Sequence, residues 1–435
     1  VTAVTFPFRF NFEQARRQAK DLHRSLREDE VQAVRRLQAH HPERLTAAQA
    51  RLADAQLTVA REHGFESWAK LKEYARPKAL YQSEPITDGQ NRFLSGRHWE
   101  DQEARLRRVA DEALAKCHIG AKQINQGNSH GDFGFSKFGL SVVTNGKEPS
   151  HFVTVHYPYD HFALDEVHRQ VASMCAWLFA LDQETELVVP VPVADETGAL
   201  CQLIDHRPDG PAAVCTVQRC VRGKVIAPLA VYEGWDLANE SEPIILPKAT
   251  MYELGVVLGH IHNHGRTWAR PDGFNRFRID WMENANEVNR DYWNSREDRL
   301  SREDQALLEQ TIDAITRYRK GRGEPWGLTC GGFRLTTCVE HEGHFHPVEF
   351  SPTLTYQFDD IGWFLVDVSD DSMRRAFLDG YLSVAPQQPA FHRLVEGALI
   401  AARTRRCAYG GGLPPRLIPE CKKYVSEEAF LLGPE

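Results

Sequence analysis

The sequence predicts an α+β protein built from a helical amino-terminal module, a strand-rich lobe and a larger helical lobe. Three observations carry this reading. Apolar residues recur at three- and four-residue steps through the first 75 positions. Near residue 138 the pattern changes to β-rich runs on either side of Asn145-Gly146. Beyond residue 250 helical periodicity returns, interrupted by one β-rich stretch, Gly327 to Phe350.

In the first part, Phe12, Ala15, Ala19, Leu22 and Leu26 form one apolar stripe, and Val31, Val34 and Leu37 form a second. Thr46 is the expected cap of a third helix carrying Leu52, Ala55, Val59 and Ala60 and ending at Gly64. Ser67 restarts the chain into Trp68, Leu71 and Tyr74. The run Leu52 to Trp68 resembles a short helical module found in front of many bacterial proteins, some with ankyrin repeats. No repeat of about 33 residues follows it, so the module is read as an accessory.

The expected boundaries are residues 1–76 for this module, 77–134 for a linker and leading helix, 135–222 for the strand-rich lobe and 223–435 for the helical lobe. Pro77 and Gln82 to Gln90 form the linker, and Glu100 to Ala115 a charged amphipathic helix. Strands are expected at Phe138–Val143 and His151–His156, then a helix from Leu164 to Leu181. Further strands are expected at Leu187–Val193, Leu200–Ile204 and Ala213–Val221. The helices of the last part are read at Thr250–His264, Asp304–Lys320, Asp371–Val384 and Phe391–Arg403.

Composition narrows the function classes. The net charge of −8 is spread over interleaved acidic and basic residues, with no basic stripe for a nucleic acid. No apolar run approaches the roughly 20 residues of a membrane helix, and residues 1–7 carry neither a basic region nor an apolar core of a secretion signal. The cytoplasm is the expected compartment. Nine scattered cysteines are read as free thiols.

Several pieces, in order, resemble one family. They are Phe152 to Pro158, Ser173 to Leu178, Val189-Pro-Val-Pro192, Gly255 to His262, Trp268 to Phe274, Gly327 to Thr337, His346 to Phe350 and Gly362 to Asp367. Together they are similar to the aminoglycoside phosphotransferase and type II homoserine kinase superfamily, over residues 135 to 405. The resemblance implies a bilobal, protein-kinase-like fold with a cleft between its lobes.

Phosphoryl transfer requires a cation on the phosphates, a carboxylate to orient it, an aspartate beside the attacking hydroxyl and magnesium ligands. On the resemblance, the cation slot falls at Val155-His156 and its carboxylate slot at Met174, with Gln170 and Glu166 one and two turns back. The His-x-Asp of the catalytic loop, and the Asn five residues after that Asp, correspond to Cys330, Gly332 and Thr337. A glycine accepts no proton, and threonine is a poor magnesium ligand. The metal aspartate corresponds to Glu349, with Ser351 at the acidic position that often follows. Pro352 to Gln357 reads as an insertion, after which Phe358-Asp-Asp-Ile-Gly362 resembles the metal motif displaced along the chain.

The cleft candidates are therefore His156, Gln218, Arg334, Glu349, Asp359 and Asp360. Glu349, Asp359 and Asp360 would serve as metal ligands if magnesium binding were retained. His130-Gly-Asp-Phe-Gly134 looks like a catalytic motif but precedes the strands, and is read as a glycine-rich turn into the first strand, part of a lid over the cleft. His260 and His264 share a helix face and His262 does not, so a packed role is expected for them rather than a metal site. His341 to His346 is read as a hairpin turning at Glu342-Gly343. Cys330 has only Arg334 as a local basic neighbour and is expected to be a passive small residue rather than a nucleophile.

The first expectation is a catalytically degenerate, pseudokinase-like protein that binds a small metabolite in the cleft, or a non-phosphoryl-transfer activity on the same fold. The alternatives are an active ATP- and magnesium-dependent phosphotransferase on a small hydroxyl or amine compound, and a scaffold whose amino-terminal helices dock a protein partner. Nucleic acid and membrane are not expected partners.

Overall fold

The computed structural model describes residues 12–42, 45–62, 67–69, 71, 99–132, 135–158, 163–205, 212–226, 246–276, 300–322, 326–368, 370–385, 390–408 and 416–431. The chain divides into two compact units, residues 1–99 and 100–435.

In the first unit, α1 (Phe12–Arg27), α2 (Val31–His40) and α3 (Leu52–Glu62) bury Ala19, Leu22 and Leu26, Ala33 and Leu37, and Ala55, Val59 and Ala60 against one another, while Val31 of the second stripe is exposed. Leu22, Leu26, Leu37, Ala55, Val59 and Leu71 form its core. Thr46 does not cap α3. Its hydroxyl and amide bond to Gln49 Oε1 in a separate turn, and the amide of Arg51 donates to Asp54 Oδ2 at the true start of the helix. Gly64, Tyr74 and the linker 77–90 lie outside the described residues.

The second unit begins with α4 (Trp99–Lys116) and a five-stranded antiparallel sheet in the order β1-β2-β3-β5-β4. The strands are β1 (Gln123–Asp132), β2 (Phe135–Val143), β3 (His151–Pro158), β4 (Gln202–Ile204) and β5 (Ala213–Arg219). β1 was not expected. Its polar sequence Gln-Ile-Asn-Gln-Gly-Asn-Ser lacks apolar alternation and is held by pairing with β2 alone. His130 to Asp132 therefore belong to β1, paired with Phe135 to Lys137 of β2, rather than preceding the first strand, and Phe133 and Gly134 lie outside the described residues.

Leu187–Val193 forms no regular strand. Pro190 and Pro192 have no amide to give to a ladder, so the segment follows β5 through one bridge, Pro192 with Gln218, and bonds from the amides of Val193 and Arg219. α5 (Leu164–Glu184) lies against β3 and β5, burying Val167, Val171, Met174, Trp177 and Leu178 in the core. The end of α4 is tied to the sheet by Gln202 Nε2 on Cys117 Sγ and by the amide of Glu196 on the Lys116 carbonyl.

After β6 (Lys224–Val225) the unit is mainly helical: α6 (Lys248–Thr267), α7 (Arg302–Arg322), α8 (Gln357–Leu365), α9 (Asp371–Val384), α10 (Phe391–Ala408) and α11 (Leu417–Val425). α6 and α9 meet backbone to backbone. A Cβ on Gly255 would stand 2.0 Å from the Phe377 carbonyl oxygen, and one on Gly380 would stand 1.9 Å from that of Tyr252, so only glycine permits the contact. β7 (Trp326–Thr329) pairs with β10 (Thr353–Tyr356), while β8 (Cys338–His341) and β9 (His344–Pro347) form a hairpin beside β6. That hairpin turns at Glu342-Gly343, both left-handed, as the sequence predicts. The expected insertion Pro352–Gln357 is in fact largely β10, a core strand. Among the described residues no helix is long and apolar enough to cross a membrane.

Candidate functional site

Residues 330–337 join β7 to β8 and form the loop on which the resemblance places the catalytic residues. Gly331 turns the chain at φ +68°, and a Cβ there would lie 2.1 Å from the Ser351 carbonyl oxygen, so this position must be glycine. The loop's amides are fixed from below. Cys330 N donates to Asp360 Oδ2 at 2.6 Å, and Gly331 N lies within 3.3 Å of both oxygens of the same carboxylate. Asp360 is positioned in turn by His262, whose Nε2 lies 3.4 Å from Oδ2 and whose Nδ1 shares a 3.0 Å hydrogen bond with the Tyr381 hydroxyl. Gln357 Nε2 donates to the His262 carbonyl at 2.7 Å and closes the group.

Gly332 is a different kind of glycine. A Cβ there would sit 3.1 Å from the Glu349 carbonyl oxygen and 3.5 Å from Glu349 Cγ, a contact that a few tenths of an ångström would relieve. A side chain at 332 would therefore require the Glu349 backbone to give by a few tenths of an ångström, far less than a side chain at 331 would require of Ser351. Thr337 Oγ1 is consumed within the loop: it accepts from the amide of Arg334 at 3.0 Å and donates to the Gly332 carbonyl. The Cys330 thiol is fully buried, 3.5 Å from the Glu349 carbonyl oxygen. Burial, then the charge of Asp360, pushes that thiol well above its ordinary pKa, which agrees with a passive residue.

The remaining candidates divide. Glu349 is half-buried beside the 332 position. Asp359 is buried and accepts from Arg319 Nη2 at 2.7 Å and from the Thr355 hydroxyl at 3.1 Å. Both Asp359 and Asp360 belong to the start of α8 and are hydrogen-bonded there, Asp359 to Arg319 and Asp360 to the loop amides. Arg334 stacks over the Trp363 ring at 4.4 Å, with Arg405 also over that ring at 4.9 Å. Gln218 is buried near the end of β5. Among the described residues no group of three His, Cys, Asp or Glu is arranged to hold a metal ion. Of the histidines of α6, His262 and His264 are packed, His264 receiving Trp177 Nε1 at 3.1 Å and meeting Glu184 at 3.2 Å, whereas His260 is exposed and does not take the packed role expected of it. Burial lowers the His264 pKa, and Glu184 opposes that shift.

On the sheet side, His156 is fully buried, with Phe135 edge-on at 5.0 Å. Its direct cross-strand partner is Lys137 on β2, which the sequence reading passed over. Lys137 is buried at 6% exposure, and its ammonium donates to Ser351 Oγ at 2.7 Å. The signal that could have found it is register. Pairing β2 with β3 sets Val142 against His151, and counting outward sets Lys137 against His156.

In α5, Met174 is buried in the core and Gln170 is buried one turn earlier. Glu166 accepts from Gln170 Nε2 at 2.9 Å, Asn275 Nδ2 at 2.8 Å and Arg169 Nη2 at 2.6 Å. Burial raises its pKa, and these three bonds outweigh that and leave it below the ordinary carboxylate value. Arg276, almost wholly buried, donates through Nη1 to the Gln170 carbonyl at 3.0 Å and through Nε to the Pro352 carbonyl at 2.6 Å. It joins α5 to the strand that follows Glu349.

No protein-family model matches the chain, and no curated protein matches it either. Solved structures do. A microcompartment-associated aminopropanol kinase superposes with a TM-score of 0.52 at 18% identity, over 73% of this chain and 94% of that one. An amicoumacin kinase in complex with AMP-PNP and Ca2+ superposes with a TM-score of 0.51 at 13% identity, over 77% of this chain and 98% of that one. The fold is that of the small-molecule kinases, α+β and kinase-like.

Proposed function

We propose that this chain uses the small-molecule kinase fold to bind a small metabolite in the cleft between sheet and helical lobe, without transferring phosphate by the route that fold usually supports. The observation that carries the reading is the loop 330–337. Its backbone is anchored by Asp360, while the position of the proton-accepting aspartate is Gly332 and the position of the asparagine is a threonine whose hydroxyl is turned back onto the loop. A loop without a carboxylate at 332 has no group to orient a substrate hydroxyl.

Against this stands an active phosphotransferase with a rebuilt metal site. It would need Asp359 or Asp360 as ligands beside Glu349, and the bonds of Asp359 to Arg319 and of Asp360 to the loop amides weigh against that. Glu349 is then the one acidic candidate still beside the loop.

The test is substrate-dependent ADP release with magnesium or manganese and a panel of hydroxyl and amine compounds. Kinases of this kind turn over at roughly 1–100 per second; the expected result here is no release above the protein-free blank. Turnover abolished by Glu349→Ala would overturn the reading. A thermal-shift screen with unphosphorylated metabolites is the positive arm, and a compound that raises the melting temperature identifies the ligand class.

A further inference from the structure

We infer that the hairpin β8–β9 is a pH-sensitive latch: protonation of three imidazoles on one of its faces loosens it and, with it, the loop 330–337 and the segment carrying Glu349. The inference goes beyond the proposed function and does not depend on what the cleft binds.

The register brings the three together. His341 on β8 is directly opposed to His344 on β9 across the Glu342-Gly343 turn. Opposed residues on antiparallel strands share a face, with Cβ atoms about 5 Å apart, and alternate residues of one strand share a face as well. His346 therefore joins His341 and His344. The other face of the hairpin carries Cys338 and Phe345 into the core. His344 is exposed, and His341 and His346 are half-buried. Among the described residues no three such donors are arranged to hold a metal ion, so what these imidazoles share is charge.

The surroundings supply little to neutralise it. Among the described residues none of the three is in an ion pair. Glu340 and Lys224 are opposed to each other across β8 and β6 and so lie on the other face, while β6 sets Val225 against Val339 on the imidazole side. Glu340 Oε1 accepts the amide of Gly343 at 2.9 Å, and Glu342 is exposed in the turn. α6, which packs on β9, adds Lys248, Glu253, His260 and Arg266 to the bonded His262 and His264. These groups are the same in every variant below, so a difference from wild type isolates the three imidazoles.

Histidine titrates between about pH 5 and 8, and like charges directly opposed across a sheet destabilise it. Burial first, then His344 and His341, lowers the His346 pKa below its ordinary value. The folded hairpin thus binds fewer protons than the unfolded chain. Its stability is fully present above about pH 6.5 and is lost as pH falls through the lowered His346 value.

The ends of the hairpin hold the candidate site. The amide of Val348, one residue past β9, donates to the Thr337 carbonyl at 2.8 Å, and the amide of Ile226 donates to the Cys338 carbonyl at 3.1 Å. Thr337 closes the loop 330–337 and Glu349 follows Val348, so loosening the hairpin frees both.

The experiment is hydrogen exchange by mass spectrometry on the full chain at pH 7.5 and 5.5, in EDTA to keep metals off the imidazoles. Protection factors, which already allow for intrinsic exchange at each pH, are compared. Peptides covering 330–350 are expected to lose protection by about 3- to 10-fold at the lower pH, the scale of one or two opposed like-charge pairs, while α9 changes by less than about twofold. His344→Gln removes the exposed imidazole between the other two and is expected to cut the loss in 330–350 to under about twofold. His346→Gln is expected to act likewise, and should it fail to fold, His344→Gln and His341→Gln still decide. An unchanged loss in His344→Gln overturns the inference. A loss of the same size in α9 does so too, because it reports acid destabilisation of the whole unit rather than a latch.

Discussion

The loop 330–337 and the residues beneath it present opposite conditions. Beneath, every element of a rigid support is present: Asp360 holds two loop amides, His262 and Tyr381 hold Asp360, and Gln357 holds the His262 carbonyl. On the loop itself, Gly332 carries no side chain and the Thr337 hydroxyl is bonded internally. Support and chemistry are thus specified by separate residues. The geometry of this loop rests on buried hydrogen bonds to its backbone rather than on the side chains it displays.

That contrast can be broken in four ways, taken from the largest expected effect. Arg319→Ala leaves buried Asp359 without its guanidinium partner, at a cost of about 3–5 kcal/mol, read as a lowered denaturation midpoint. A loss near zero would show that Asp359 is solvated and free to serve elsewhere.

Asp360→Ala removes the acceptor for the amides of Cys330 and Gly331 and should cost about 2–3 kcal/mol. Chemical denaturation measures it, and a loss of ligand binding alone, with stability unchanged, would assign Asp360 to the site instead of the support.

The two adjacent glycines give the most direct comparison. Gly331→Ala meets both a left-handed backbone and the Ser351 carbonyl and is expected to cost about 2 kcal/mol or more, whereas Gly332→Ala should change stability by under about 1 kcal/mol. Equal effects would mean that Gly332 is also structurally required. Last and smallest, the raised pKa of buried Cys330 means that alkylation at neutral pH should leave it unlabelled in the native chain and label it only after denaturation, as peptide mass mapping would show.

Much of the fold was legible because amphipathic helices and apolar strands declare themselves locally. α5 begins at Leu164 and α9 spans Asp371 to Val384, as the apolar spacing predicts. The elements that escaped are those defined by partners. β1 is polar and exists through pairing with β2, and β10 is a four-residue strand whose identity comes from β7. The sequence reads β10 as an insertion and the following helix as a metal motif, whereas the structure shows a strand there and hydrogen bonds from Arg319 and Cys330 to the two aspartates of that helix. Lys137 escaped for a related reason. Its significance depends on facing His156, and cross-strand register cannot be fixed without the length of the loop 144–150 between β2 and β3.

Arg276 has a consequence for motion. One guanidinium gripping the Gln170 carbonyl of α5 and the Pro352 carbonyl before β10 clamps the sheet-side helix to the helical lobe. Separation of the two sides would break both bonds at once and leave a cation in the interior, so amide protons in the middle of α5 and in β10 should exchange with solvent on a common, slow clock.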